Sequence, residues 1–259
     1  MLQRIEFPHK LGVCERLFGK RLARIGEAWV QTAAGVIWKL DLSNATHRWM
    51  VYGFYEGPAF YRWAANELPA DPVVIDSGAN IGQFAIYIAS TCPKCRVYAF
   101  EPGAHASGWM DQCLRVSPLP IVVVPSGLSD FSGSAHLATG GPPMTHGARN
   151  YVARDGELVQ LTTLDEFAVE HALSVIDLWK LDMEGHEIRA ARGAAELLRR
   201  QAVRAIWCEV TDHNREIVNV FRAYGYACYT LTDSGIPLPA VALPSHGNCL
   251  FLPDSSALS

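Results

Sequence analysis

Four acid-bearing stretches stand out for the chemistry their residue types and spacing allow. The first is Val73-Val74-Ile75-Asp76-Ser77-Gly78-Ala79-Asn80-Ile81-Gly82-Gln83. A β-branched run that enters a turn with glycines at 78 and 82, then a helical pattern, is a strand–turn–helix whose loop backbone can approach a ligand. Gly78 permits the sharp turn, and Gly82 leaves the helix start without a Cβ. Asn80 stands where a GxGxxG loop has its middle glycine, which accommodates a pyrophosphate, so the spacing points to a ligand without phosphates. Asp76 is expected to orient the loop or accept bonds from a cationic group. The backbone of Gly78, Ala79, Asn80 and Gly82, with Gln83 at the helix start, is expected to hold a carboxylate.

The second is Tyr98-Ala99-Phe100-Glu101-Pro102, in which Glu101 comes 25 residues after Asp76, at the end of the next strand. An acid there can accept two hydrogen bonds from ribose hydroxyls, and Pro102 helps fix its direction. The third is Lys180-Leu181-Asp182-Met183-Glu184-Gly185-His186-Glu187. Ligands of open α/β sheets bind outside the carboxyl ends of the strands, so Asp182 is expected to face the pocket, with Lys180 pointing the same way. Glu184 and Glu187 fall in a first helical turn, where negative charge is favourable without any function. The fourth is Trp207-Cys208-Glu209-Val210-Thr211-Asp212-His213. Glu209 and His213 are expected on the same rim, His213 as a general base on a hydroxyl. His146, in a loop, is a second histidine of that kind.

The elements that position these residues are buried strands alternating with helices. Apolar runs at 73–75, 96–100, 121–124, 175–181 and 205–208 do not alternate, as in strands buried on both faces. Helices between them imply parallel pairing with right-handed crossovers. Helical spacing is expected over 84–90 and, as one helix, over 186–200. Residues 226–231 and 248–252 are the last strands. Segments 134–139 and 158–163 are expected to pair as an inserted hairpin around a breaker-rich loop at 140–150, the kind of loop that often binds or covers ligands. Residues 1–70 are expected to form an accessory segment: a helix over 11–24, a hairpin over 29–42 around Gly35, an aromatic stretch 49–58 and a helix over 59–67. Residues 71–259 form the main domain.

Composition narrows the class of function. The 259 residues carry 22 Lys plus Arg against 26 Asp plus Glu, a net charge of −4. Mild acidity disfavours nucleic acid, although Lys10, Arg16, Lys20, Arg21 and Arg24 crowd one segment. No apolar run nears the ~20 residues of a membrane-spanning helix, and residues 1–10 lack a signal-peptide pattern. Seven scattered cysteines suit free thiols, so a cytoplasmic location is expected. Cys92-Pro93-Lys94-Cys95 falls in a turn before a strand, unlike a redox pair that opens a helix.

Taken together, these residues resemble the FkbM-type family of class I S-adenosylmethionine-dependent methyltransferases. The matching pieces are Val74–Gly82, Ala99-Phe100-Glu101-Pro102, Gly127-Leu128-Ser129-Asp130, Thr163-Leu164-Asp165, Lys180–Glu187 and the helix at Gly193. The resemblance runs from about residue 50 onward. It implies an α/β, doubly wound, mostly parallel seven-stranded Rossmann-like sheet with the last strand antiparallel. It implies S-adenosyl-L-methionine on Asp76, Gly78, Asn80, Gly82 and Glu101, with Ser126, Gly127 and Leu128 bordering the adenine. It also implies a hydroxyl acceptor on a sugar or secondary metabolite. Asp182, His213 and Lys180 are the expected catalytic residues, Asp182 also touching the cofactor. An NAD-dependent oxidoreductase and a non-catalytic cofactor binder are the alternatives. Asp182, Glu184 and Glu209 offer oxygen ligands to Mg²⁺ as a lesser reading, and no resident metal is expected. A homodimer is a further expectation.

Overall fold

The computed structural model describes residues 9–32, 34–54, 57–140, 149–153 and 156–254. The described residues begin with one continuous helical stretch: α1 (Lys10–Cys14), a π-helical turn (Glu15–Gly19) and α2 (Lys20–Ala23). The hairpin β1 (Glu27–Gln31) and β2 (Ile37–Asp41) follows, Trp29 paired with Lys39. Next come α3 (Ala45–Tyr52), α4 (Pro58–Glu67), β3 (Val73–Ser77), α5 (Gln83–Thr91), β4 (Arg96–Phe100), α6 (Ala104–Val116) and β5 (Ile121–Val124). An insertion holds β6 (Gly127–Leu128), β7 (Gly133–Gly140), β8 (Arg149–Ala153) and β9 (Glu157–Thr162). The chain continues through α7 (Leu164–Glu170), β10 (Leu178–Leu181), α8 (Glu187–Arg192), α9 (Ala195–Arg199), β11 (Ile206–Thr211), α10 (Ile217–Ala223), β12 (Tyr226–Leu231), β13 (Pro237–Pro239) and β14 (His246–Pro253).

The central sheet runs β13-β12-β14-β11-β10-β3-β4-β5. Pairings from β11 through β10, β3 and β4 to β5 are parallel, while β14 lies antiparallel between β11 and β12. Every residue of β3 and of β10 is buried, which is why those strands read as unbroken apolar runs. Successive β3 residues feed opposite cores. Val73 and Ile75 pack with Phe167, Leu197 and Phe221 from the helices of the later half. Val74 packs with Phe84 and Met110, and also with Trp38, Leu40, Met50 and Phe60. Among the described residues, the N-terminal segment therefore supplies seven of the twenty-five buried side chains of that layer, Trp38, Met50 and Phe60 included, and each fully buried side chain of that size contributes about 1.5–3 kcal/mol.

Four sequence expectations need adjustment. The sheet has eight strands among the described residues, because Pro237–Pro239 adds a short edge to the expected seven. The inserted hairpin does form, with Ser134 opposite Gln160, but β8 and β6 extend it to four strands. Of the loop at 140–150, residues 141–148 lie outside the described residues, and His146 with them. The expected single helix over 186–200 is broken at Gly193. A Cβ on Gly193 would overlap the Ser129 carbonyl oxygen, and the Asp165 carboxylate caps the new start by accepting from Glu196 N and Leu197 N at 2.9 and 3.0 Å. Helix α3, not anticipated in the aromatic stretch, is capped at one end by the Asn44 side chain on Thr46 N and ended at the other by Gly53 at φ 86°. Cys92 and Cys95 bracket a tight turn as free thiols.

Candidate active site

Where β3, β4, β10 and β11 end, a cavity of about 690 Å³ opens. Its first wall is the loop after β3. The amides of Gly78 and Ala79 both donate to the Phe100 carbonyl at 3.0 Å, folding the loop onto β4. Gly78 sits at φ 78° and Asn80 at φ 50°, conformations that glycine and asparagine tolerate. A Cβ on Gly78 would overlap the Asp182 carbonyl oxygen, so this glycine lets the loop press against the end of β10. Gly82 has a packing reason of its own. It also has a left-handed φ, but a Cβ there would meet Met110 and Trp38, in the core. It lets α5 pack inward and does not line the cavity.

Glu101 is fixed from two sides. Its Oε2 accepts from Asn80 N and its Oε1 from Gly103 N, both at 2.9 Å. Burial raises its pKa, and these two amides partly offset that. Each carboxylate oxygen retains acceptor capacity. Pro102, Gly127, Leu128, Leu137 and Leu161 continue this wall as an apolar strip. Ser126 is half-buried and does not line the cavity.

The opposite wall is electrostatic. Lys180 Nζ lies 3.0 Å from Asp182 Oδ2 and 3.8 Å from Asp76 Oδ1. Asp76 is completely buried, and neither of its carboxyl oxygens meets hydrogen-bond geometry with a partner among the described residues. Burial pushes its pKa up to about 6, Lys180 opposing and Asp182 reinforcing the shift. Asp76 thus sits beneath the loop beside the Lys180 ammonium, away from the cavity surface.

Glu187 does structural work. It is wholly buried; Oε1 accepts from Met183 N at 2.8 Å and Gly185 N at 3.2 Å, and Oε2 from Asn214 Nδ2 at 3.1 Å. It ties the Met183–His186 turn to the turn after β11. His186 Nε2 lies 3.1 Å from Ser129 Oγ, and burial lowers the His186 pKa.

Glu209, at the end of β11, lines the cavity, and its Oε1 lies 3.3 Å from His246 Nε2. Burial raises the Glu209 pKa to about 7, helped by the carboxylates of Asp182, Glu184 and Glu187 and opposed by Lys180. His213, the expected base, is exposed in the turn after β11 and does not line the cavity; its amide donates to Thr211 Oγ1 at 3.3 Å. The histidine beside Glu209 comes instead from β14. Antiparallel pairing places Thr211 against His246 and Glu209 against Asn248, a neighbourhood no local pattern reveals.

The N-terminal segment closes the cavity with Thr46, His47, Trp49 and Phe54. His47 Nδ1 accepts from Asp41 N at 3.0 Å, and burial lowers its pKa to about 4, so its ring is neutral. Aromatic density over 49–55 was the one sequence signal for this wall. No three His, Cys, Asp or Glu side chains among the described residues are grouped to hold a metal ion.

The strand order and the site at the strand carboxyl ends define a class I, Rossmann-like methyltransferase fold. Residues 76–228 match the Methyltransferase FkbM domain, and the chain belongs to that family. Its methyl donor is S-adenosylmethionine, which sets aside the dinucleotide alternative. The chain is 31% identical over 184 residues to the AMB antimetabolite synthetase AmbE of Pseudomonas aeruginosa, covering 56% of this chain but only 9% of that one. It is 24% identical over 182 residues to the hexuronic acid methyltransferase AglP of Haloferax volcanii, covering 70% of this chain and 73% of that one. Fibrillarin from Aeropyrum pernix, solved with bound S-adenosyl-L-methionine, aligns at TM-score 0.42 and 12% identity over 76% of this chain and 75% of that one. No helix among the described residues is long and apolar enough to cross a membrane.

The cavity suits that donor. Glu101 presents anchored acceptor oxygens for vicinal hydroxyls, the strip at Leu128 offers an apolar face for a base, and the carboxylates on the far wall suit a cation.

Proposed function

We propose that this chain methylates a hydroxyl oxygen of a sugar or related small metabolite. The observation that carries the reading is Glu209. A carboxyl group with its pKa near 7, in the cavity and 3.3 Å from His246, is poised as a base for a neutral hydroxyl. The hexuronic acid methyltransferase among the relatives agrees with such an acceptor.

In this reading Glu101 takes the ribose hydroxyls of the cofactor, and Gly127 and Leu128 border its adenine. The backbone of Gly78, Ala79 and Asn80, with Gln83, receives its carboxylate. When bound, S-adenosylmethionine supplies a methyl group activated by its sulfonium. The protein's task is then to hold the acceptor oxygen about 3–3.5 Å from that carbon and in line with the breaking bond. Glu209 accepts the hydroxyl proton and becomes a neutral carboxyl that can donate its hydrogen to His246 Nε2. Asp182, held by Lys180, orients the acceptor and offsets the cofactor's positive charge. Trp49 and Phe54 exclude water from one side. Asp76, Gly82 and Ser126 support this arrangement without lining the cavity.

The test has two stages. Calorimetric titration with S-adenosylmethionine and its demethylated product should show binding. Transfer of labelled methyl to a panel of glycosides and uronic acids should then give alkali-stable ethers. Labelled esters, amines or thioethers in place of ethers would overturn hydroxyl methylation.

A further inference from the structure

The N-terminal helical stretch is strongly basic in a chain of net charge −4. Residues 10–24 contain Lys10, Arg16, Lys20, Arg21 and Arg24 against one acid, Glu15. That acid is committed elsewhere: its carboxylate accepts from Arg48 Nε at 2.9 Å and Nη2 at 3.1 Å. Arg16, Lys20, Arg21 and Arg24 are all exposed. Apolar side chains are exposed among them, Leu17 at 65%, Ile25 at 56%, Val13 at 39% and Phe18 at 37%. The π-helical turn sets up this division. Within it Gly19 turns inward, as does Cys14 just before it, while Arg16, Leu17 and Phe18 stay outside. The first helix packs against α3, which carries Thr46, His47 and Trp49 of the cavity wall.

We propose that this stretch seats the protein on an anionic lipid surface. Arg16, Lys20 and Arg21 meet the headgroup phosphates, and Leu17 and Phe18 enter the interface. Charge complementarity alone would suit any polyanion. Exposed Leu17 and Phe18 beside the cations select among them, because an anionic lipid surface rewards apolar burial and positive charge together. A nucleic acid backbone rewards the cations and gains nothing from Leu17. Seated this way, the cavity stands one helix from the lipid surface.

The full chain is mixed with phosphatidylcholine vesicles, with and without phosphatidylglycerol, and bound protein is measured by sedimentation. Binding is expected only with phosphatidylglycerol and should weaken as salt rises. At roughly 1 kcal/mol per basic residue near such a surface, Arg16→Gln/Lys20→Gln/Arg21→Gln should lower partitioning about a hundredfold. Leu17→Ser keeps the charge and should lower it several-fold. These positions are exposed, so circular dichroism and melting temperature should match the parent. Absence of binding to phosphatidylglycerol vesicles overturns the proposal, as does undiminished binding by the triple variant. So does retention on heparin with Leu17→Ser vesicle binding unchanged, which would mark a soluble polyanion as the partner.

Discussion

At the β3–β4 end of the cavity the ligand-facing groups are held by main chain. Phe100 O takes two loop amides, two amides fix Glu101, and glycines with left-handed φ set the curvature. At the β10–β11–β14 end they are ionisable side chains that set each other's charge. Lys180 stands between Asp76 and Asp182, and Glu209 feels Asp182, Glu184 and Glu187. The first end depends on backbone shape, and the second on the charge of Glu209. A cofactor common to a family suits the first kind of site, and an acceptor whose proton must be removed suits the second.

This contrast can be broken from either end. The largest effect is expected for Gly78→Ala. A Cβ there would overlap the Asp182 carbonyl oxygen at a φ that disfavours it, so stability should fall by about 4 kcal/mol or more in denaturant unfolding. Next is Glu209→Gln. Turnover should fall about 10²–10⁴-fold while cofactor affinity is kept. The parent's rate should rise with pH through about 7, because the base works only when ionised, and this rise should vanish in the variant. Glu187→Ala strands two backbone amides and the buried Asn214 side-chain amide. It should cost about 2–4 kcal/mol of stability, read by thermal melting. Glu101→Gln turns one of the two amide-accepting oxygens into a donor, so it should cost about 1–3 kcal/mol of stability and weaken cofactor binding by roughly ten- to a hundredfold, the worth of charge-assisted hydrogen bonds. His213→Ala should change neither turnover nor affinity by more than about twofold, since surface substitutions away from buried or bonded groups lie within ±0.5 kcal/mol.

The two ends also differed in how well the sequence disclosed them. The β3–β4 end is local: a buried strand, two glycines, Asn80 and an acid at the next strand end all lie within residues 73–102. Lys180 and Asp182 were visible for the same reason. The Glu209–His246 pair was not, because its members are 37 residues apart and meet only through antiparallel insertion of β14 between β11 and β12. His213 was the nearer histidine in sequence, but it is exposed and outside the cavity lining. Gly82 was read as leaving the helix start open to a ligand; in the fold a left-handed φ and the closeness of Met110 and Trp38 call for a glycine there. Helix α3 was hidden because its stability comes from its Asn44 cap and from burying Met50, not from a clean apolar period.

The central claim is that one cavity is divided into a main-chain-held cofactor end and a titratable acceptor end. Calorimetric titration of the demethylated cofactor into the parent, Glu101→Gln and Glu209→Gln proteins at neutral pH tests it most directly. The account predicts binding to the parent, weaker binding to Glu101→Gln by at least about tenfold, and unchanged binding to Glu209→Gln. Equal weakening by both substitutions, or no binding to the folded parent, would contradict it.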